Sequence, residues 1–292
     1  MMCYSQIGAL DDLSKTIMVL VVCLYMYIRG KRINLGKARH WLDESFPVLK
    51  QQFYGMGVPC KPAENFRESR IQKHSIIQKC SPSKFLIYAS GRKYCTGALF
   101  SLELSPRQDI FSPVYHIFNM TNDRLVVDIP MEDMEPVVFT LVRRTEYPFV
   151  AHAFRDVSLL ARQVPLEMLP HTLWCMTDYN ELLTTFLGPQ VNTFISQYEH
   201  LIDVIHISDL NRVSGIRTVP HKSIHMQFRL GNTKEERYAC LNLVFHYIDL
   251  VGGLKLSSSA KIAANKAREG FFKTQPRSET MAASQSTSSL PE

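Results

Sequence analysis

The sequence predicts an α+β fold, in which an N-terminal single transmembrane helix precedes a cytosolic mixed α+β domain with largely antiparallel strands. Three observations favour it. One uncharged apolar run occupies residues 16–28, alternating and helical hydrophobic patterns are interspersed along the remainder, and neighbouring strand-like segments lie close enough in sequence to form hairpins. Without the anchor and the polar tail, the remaining length is enough for one large domain or two small ones.

The apolar run reads TIMVLVVCLYMYI. Its residues would form about 20 Å of helix, against about 30 Å of bilayer hydrocarbon, so that a buried core helix or a signal-peptide core is an alternative by length alone. Leu10 and Leu13 extend the apolar length, and Tyr25 and Tyr27 lie where interfacial aromatic residues are common. Acidic residues precede the run, and no small-residue cleavage site follows it. We therefore expect a membrane anchor.

A basic flank follows the run directly. It contains five basic side chains and no acidic one, namely Arg29, Lys31, Arg32, Lys37 and Arg39. The positive-inside rule then predicts a short luminal N-terminus at residues 1–15 and a cytosolic C-terminal part. Because a topology signal needs only a small charge bias, we expect the flank also to hold the domain near anionic headgroups or ribosomal RNA, although a purely topogenic flank is the simpler alternative.

The remaining chain divides into three parts. Residues 29–57 combine the basic flank with an amphipathic helix, in which Pro47 predicts a kink or a break. Residues 58–255 form the predicted cytosolic α+β domain, and residues 256–292 a basic and then disordered tail. The seven cysteines show no zinc-ligand spacing and fit a reduced compartment, and we expect no cofactor.

The secondary structure of the domain follows from its hydrophobic periods. Helices are expected at residues 109–120, at 147–163, in two pieces of 180–200 divided at Gly188-Pro189, and from the Thr233 cap through Leu250, with Gly252-Gly253 as a stop. Residues 58–80 are given no assignment. Period-two patterns predict strands at residues 84–90, 98–104, 123–131, 136–144, 172–176, 204–208 and 223–230.

No catalytic motif is present, and the sequence therefore predicts a protein that is not an enzyme. His200 and His206, with Asp203 and Asp209 nearby, could form a metal site, but nothing in the sequence fixes their geometry. Cys95 follows a turn and is better explained as a packed strand cysteine than as a nucleophile.

A set of motifs in a fixed order resembles the calumin family, a coiled-coil-domain protein of the endoplasmic reticulum membrane. The first of these motifs consists of Ser90, Gly91, Arg92, Cys95, Gly97, Arg107, Gln108 and Asp109. Further along, Lys261, Lys266 and Arg268 resemble the start of the family's basic C-terminal helix. The similarity covers about residues 16–275, and the chain is identified as a shortened member, without the family's acidic luminal segment and with a reduced coiled coil.

The resemblance implies a non-enzymatic subunit of a chaperone complex, the PAT complex, in the endoplasmic reticulum membrane. The implied partners are an Asterix-like small membrane subunit, the Sec61 translocon, the ribosome and nascent multi-pass membrane proteins. Calcium homeostasis is also implied, although the expected luminal segment at residues 1–15 has almost no carboxylates to bind the ion. The residues leave two other classes open, a membrane-tethered enzyme and an RNA- or ribosome-binding adaptor.

Overall fold

The computed structural model describes residues 2–57, 76–107, 123–211 and 221–273. The helix expected at residues 109–120 lies outside these ranges, as do the motif residues Gln108 and Asp109. Helix α1 (Met2–Gln52) contains both the apolar run and the basic flank. The mixed α+β composition with an antiparallel sheet is confirmed, whereas the membrane span stays a prediction.

Ten strands of the described chain form one sheet, and every pairing between them is antiparallel. The order across the sheet is β1-β3-β4-β5-β10-β9-β6-β8-β7, and β2 also pairs with the outer side of β3. The strands are β1 (Gly55–Met56), β2 (Ile77–Lys79), β3 (Lys84–Ser90), β4 (Ala98–Glu103), β5 (Arg124–Pro130), β6 (Val138–Arg143), β7 (Arg162–Val164), β8 (Leu173–Thr177), β9 (Ile202–Asn211) and β10 (His221–Arg229).

Six further α-helices lie within the described residues. They are α2 (Tyr147–Ala153), α3 (Arg155–Leu159), α4 (Leu183–Phe186), α5 (Pro189–Tyr198), α6 (Lys234–Gly253) and α7 (Ser258–Lys273). The two pieces divided at Gly188-Pro189 correspond to α4 and α5. Strands β3 and β5 begin, and strands β4 and β10 finish, at the same end of the sheet. We call this end the entry end and the opposite end the far end.

The main core lies between one face of the sheet and the helices α1 and α6. Alternate side chains of the strands enter it, as Phe85, Ile87 and Ala89 of β3 illustrate. Aromatic rings join the layers, since the Phe53 ring lies 6.2 Å from that of Phe100 and 6.1 Å from that of Phe245. Both halves of the sequence therefore contribute to a single core.

The other face of the sheet carries a smaller core beneath α2 and α3, which contains Val142, Val157 and Val204. The sequence predicted one helix over residues 147–163, and that prediction is wrong. Phe154 takes an extended conformation (φ −114°, ψ 97°) and separates two short helices, and β7 follows at residue 162. At this break the Phe154 ring packs against the His206 ring, with their centres 4.4 Å apart.

Of the kink or break expected at Pro47, the break is absent, because α1 continues through it to Gln52. Proline inside a helix costs about 3 kcal/mol. Large side chains on both sides of Pro47 enter the same core, Trp41 and Leu42 before it and Leu49 and Phe53 after it. Burying each such side chain contributes roughly 1.5–3 kcal/mol, so that together they exceed the cost of the proline.

Helix α6 begins at a capping box, as the sequence predicts from Thr233. The Thr233 hydroxyl accepts a hydrogen bond from the Glu236 backbone N–H, and the Glu236 side chain accepts one in return from the Thr233 N–H. At the other end, Gly252 and Gly253 lie within the last turn of the helix and do not follow it as a stop. Gly252 serves packing, because any Cβ there would overlap the Tyr94 ring.

We expect Gly252→Ala to lower the free energy of unfolding by about 1–3 kcal/mol, since overpacking displaces the Tyr94 ring and Tyr94 already has a positive φ of 73°. Gly253→Ala is the matched control, because no atom lies within 4 Å of a Cβ built there. Urea unfolding of both variants checks this, and equal midpoints would contradict the packing role of Gly252.

Candidate functional site

The entry end of the sheet is where α1 joins the domain. Asn34 of α1 is fully buried, and its side-chain amide donates hydrogen bonds to the carbonyl oxygens of Pro82, at 3.2 Å, and Ser105, at 3.0 Å. Arg107 in turn donates a hydrogen bond to the Asn34 side-chain oxygen, at 2.9 Å. A helix turn is thus bonded to two loops of the domain, which fixes its direction as it leaves the sheet.

Asp123, immediately before β5, completes this junction. Its carboxylate accepts two hydrogen bonds from Arg107, both at 2.9 Å, one from Lys37 at 2.7 Å and one from the Ser105 N–H at 2.9 Å. Burial by itself would raise the pKa of Asp123, but the hydrogen bonds from Arg107, Lys37 and the backbone outweigh it and hold that pKa well below its usual range. We call Asn34, Lys37, Arg107 and Asp123 the entry clamp.

The apolar run lies on the N-terminal side of the entry clamp, and most of its side chains are exposed. Apart from the partly buried Met26, the large apolar residues from Ile17 to Ile28 are 40–68% exposed, far more than those of the core. Within the described residues, the criteria for a membrane-crossing helix are met by no single helix and only by the bent pair α6 and α7, whose axes differ by 102°.

All five residues of the basic flank are exposed. Lys37 is nevertheless engaged in the entry clamp, so its charge is partly neutralised by Asp123. Sequence reasoning missed one further cation, Lys79 of β2, whose pKa is lowered first by slight desolvation and then by the nearby Lys31 charge. Only the pairing of β2 with β3 places Lys79 beside α1, so no local sequence pattern could have identified it.

Three arginines converge on one buried carboxylate at the entry end. Asp203, at the start of β9, lies 3.0 Å from Arg229, 3.1 Å from Arg143 and 3.5 Å from Arg124, and its side chain is fully buried. Arg124 also pairs with Glu146 at 3.1 Å. Three guanidinium groups therefore share two carboxylates, and about a third of the Arg124 and Arg229 side chains stays exposed.

The motif at Ser90–Gly97 lies at the far end, where it joins α1 to α6. Arg92 donates hydrogen bonds to Gln52 of α1 and to Asp249 of α6, and its guanidinium lies 5.2 Å from the centre of the Phe245 ring. Cys95 is buried, and burial raises the pKa of its thiol. Its position is that of a packed residue.

Two glycines of the motif permit close backbone contacts. Gly91 has a φ of +82°, and a Cβ there would strike Tyr54. Gly97 lies beneath the ring of Tyr88, which leaves no room for a side chain. Ser90 pairs with Gly55 of β1 at the same end. Arg107 belongs to the entry clamp, so the structure separates the motif residues between the two ends of the sheet.

The basic residues predicted in the tail have different environments. Arg268 of α7 is buried and forms two hydrogen bonds of 2.6 Å with Asp209 and one of 3.3 Å with Asp178. Lys261 pairs with Glu135 at 2.7 Å, whereas Lys266 is exposed. Burial distinguishes Arg268 from Lys261 and Lys266, because its charge pairs with Asp209 and Asp178 and docks α7 on the domain.

The His and Asp residues considered as metal ligands are likewise used in other contacts. The His206 ring lies between the Thr140 hydroxyl, at 2.9 Å from Nδ1, and Asp156, at 3.2 Å from Nε2, and all three residues are buried. His200 lies 3.4 Å from Glu236. Across the described ranges, no three His, Cys, Asp or Glu side chains are grouped to hold a metal ion.

Comparison with known proteins decides the family. The family model described as PAT complex subunit CCDC47 matches residues 15–285, which include the apolar run and the whole sheet. The chain belongs to the CCDC47 family. The resemblance to calumin is thereby confirmed, since calumin and PAT complex subunit describe the same family.

Two relatives give the extent of the similarity. An uncharacterized protein of Arabidopsis thaliana is 26% identical over 269 residues, which cover 86% of this chain and 52% of the relative. PAT complex subunit CCDC47 of Bos taurus is 22% identical over 282 residues, which cover 87% of this chain and 57% of the relative. The chain spans about half the length of these curated relatives.

One solved structure is similar only in part. The crystal structure of the mycobacterial trehalose monomycolate transport factor A shares 10% identity, with a TM-score of 0.32 over 59% of this chain and 74% of that one. That score is too low to bear on fold or function. The family description names a subunit of a complex, and this is not a known enzyme family.

The entry clamp predicts an acid-sensitive junction in this CCDC47-family chain. The lowered pKa of Asp123 means that its contribution to stability is complete above the unfolded-state pKa, near 4, and is lost as the pH falls toward the folded-state value. Asp123→Asn should lower the free energy of unfolding by about 3 kcal/mol at neutral pH, because it leaves Arg107 without its buried partner.

The matched control is Asp133→Asn, which removes an ion-paired but 96% exposed carboxylate. Urea unfolding in detergent, repeated between neutral pH and pH of about 3, should show a flatter acid dependence for Asp123→Asn than for the unsubstituted chain. Parallel acid profiles for the two would contradict the assignment of the clamp to Asp123.

Arg268 predicts that one charge docks α7. Arg268→Gln leaves Asp178 and Asp209 with no cation between them, and we expect hydrogen exchange of residues 258–270 to accelerate at least about tenfold, which corresponds to about 1.4 kcal/mol. Lys266→Gln, on the exposed side of the same helix, should change exchange little. Equal exchange in both variants would show that the apolar contacts of α7 suffice for docking.

Proposed function

We propose that this chain is a non-enzymatic subunit of a chaperone complex in the endoplasmic reticulum membrane, and that it assists the insertion and folding of multi-pass membrane proteins at the translocon. The observation that carries the proposal is the family match over residues 15–285, because it includes both the apolar run and the folded domain. The CCDC47 name describes a PAT complex subunit, and we extend that role to this chain.

The apolar run at residues 16–28 is proposed as the single-pass anchor, with the N-terminus luminal and the domain cytosolic. Its support is the exposure of the large apolar side chains, which in water would be unfavourable over so long a stretch. One continuous helix joins this run to the core, and the entry clamp fixes the helix to the sheet. The domain would therefore be held at a set distance from the bilayer.

The proposed partners differ between the part of α1 within the membrane and the part outside it. Within the membrane, the run would contact an Asterix-like small membrane subunit and the apolar segments of nascent multi-pass proteins. Outside it, Arg29, Lys31, Arg32 and Arg39 would interact with anionic headgroups or with the ribosome beside the Sec61 translocon. Calcium homeostasis has less support, since the buried Asp203 and the partly buried Asp209 are already paired with arginines.

A co-purification experiment tests the complex. We expect the tagged full-length chain, extracted from endoplasmic reticulum membranes in mild detergent, to recover a small membrane subunit and translocon components. Leu20→Arg with Leu24→Arg should abolish this recovery, because charges in the bilayer-facing run are costly. Leu159→Arg, at an exposed leucine of α3, controls for the substitution itself and should retain the partners.

Two outcomes would redirect the proposal. Equal recovery with the Leu20 and Leu24 substitutions would remove the run from the assembly. Recovery of ribosomes without any membrane subunit would favour a membrane-tethered RNA- or ribosome-binding adaptor.

Topology has a natural reporter in the sequence. Asn119-Met120-Thr121 is a glycosylation sequon, which a cytosolic domain would leave unmodified. We expect the full chain made in microsomes to lack glycan at Asn119, while an acceptor sequon appended through a spacer before Met1 is modified. Asn119→Gln marks the unglycosylated mobility on gels, and a glycan that disappears with this substitution would reverse the proposed orientation.

A further inference from the structure

The length of α1 between the apolar run and the entry clamp sets where the sheet would lie relative to a bilayer. Ile28 ends the run, and Asn34 is bonded to the entry end of the sheet. Six residues of helix span about 9 Å. The headgroup layer on each side of a bilayer is roughly 5–8 Å thick. The entry end would therefore lie where the headgroups meet water, with the far end directed away.

Cationic side chains are in excess at this end. Arg124 begins β5 and Arg229 ends the neighbouring strand β10, and the two residues lie opposite each other in the sheet. Both pair with Asp203 and still retain exposed surface. Lys31 of α1 and Lys79 of β2 bring two further charges close together. Like charges collected from three strands and one helix repel one another, so the arrangement favours an anionic partner that lies across them.

We infer that the entry end of the sheet, through Lys79, Arg124 and Arg229 together with the basic flank, is a contact surface for anionic phospholipid headgroups. The inference rests on the proposed anchor and deepens it, because an anchored chain could otherwise rotate and tilt freely at the end of its helix. A phospholipid surface is favoured over RNA because the proposed anchor would hold these side chains at headgroup depth, about 9 Å of helix beyond the apolar run.

The contact would orient the domain. Arg124 and Arg229 lie across the sheet from the strand β3, against which β2 and Lys79 pair, so the charges are distributed along the width of the entry end. Charges spread over this width would resist tilting of the domain on the bilayer better than a cluster on α1 alone. The sheet would then present its far end, with the Ser90–Gly97 motif, to the cytosol.

The test measures how close the entry end approaches the headgroups. Cys80 is exposed and adjoins Lys79, so a donor dye can be attached there after Cys3, Cys23 and Cys60 are changed to Ser. The full chain is placed in nanodiscs that carry an acceptor-labelled headgroup lipid. One set contains phosphatidylcholine only, and the other equal amounts of phosphatidylcholine and phosphatidylserine.

We expect energy transfer to increase in the anionic nanodiscs and to lose this increase at high salt. Lys79→Gln with Arg229→Gln should remove at least half of the increase, and Arg124 and Arg143 would still neutralise Asp203. The matched control is Lys93→Gln with Lys222→Gln, which removes one exposed and one partly exposed charge near the far end and should leave the increase intact.

The outcomes separate this inference from the anchor. Failure of the chain to remain with phosphatidylcholine nanodiscs would reject the anchor itself. Stable incorporation with the same energy transfer in both lipid compositions would overturn the headgroup contact and leave the anchor standing. Loss of binding to a structured RNA in the Lys79 and Arg229 variant, with energy transfer unchanged, would assign the surface to RNA and equally overturn the inference.

Discussion

The hydrogen-bonded junction between α1 and the entry end of the sheet is the constraint on which the rest of the structure depends. A fully buried Asn34 bonds two loop carbonyls, and Asp123 accepts bonds from Arg107, Lys37 and a backbone N–H. Buried polar groups are stable only when paired in this way. Because the polar groups of this junction are hydrogen-bonded to one another, α1 has one direction relative to the sheet. The apolar run has the same direction, since it belongs to the same continuous helix.

The charges of the chain serve two purposes that composition does not distinguish. Arg92, Arg107, Arg143 and Arg268 are largely buried and join separate elements through carboxylates, amides or carbonyls. The flank on α1 and the exposed parts of Lys79, Arg124 and Arg229 instead face solvent at one end. The net charge of +6 is therefore a poor guide to the surface, since the position of each charge relative to its partners decides whether it is available.

A single sheet shared by both halves of the sequence explains why the family match extends over nearly the whole chain. Strands β5 and β10 are adjacent although about a hundred residues separate them, and β9 and β6 continue the same sheet. Removing either half would expose the apolar edge of the other. One folded domain on one helix would suit the role that we propose, in which the subunit holds its partners at a membrane.

The sequence by itself determined the apolar run, the basic flank, most strands, the capped start of α6 and the family, because each depends on residues near one another in the chain. The break that it allowed at Pro47 is absent, since core burial on both sides maintains the helix. The single helix that it predicted over residues 147–163 is divided at Phe154, whose ring packs against that of His206. Tertiary structure alone decided the strand order, the placement of Lys79 beside Lys31 and the burial of Arg268 against Asp209. These features depend on contacts between segments far apart in sequence, and the hydrophobic periodicity of a single segment does not predict such contacts.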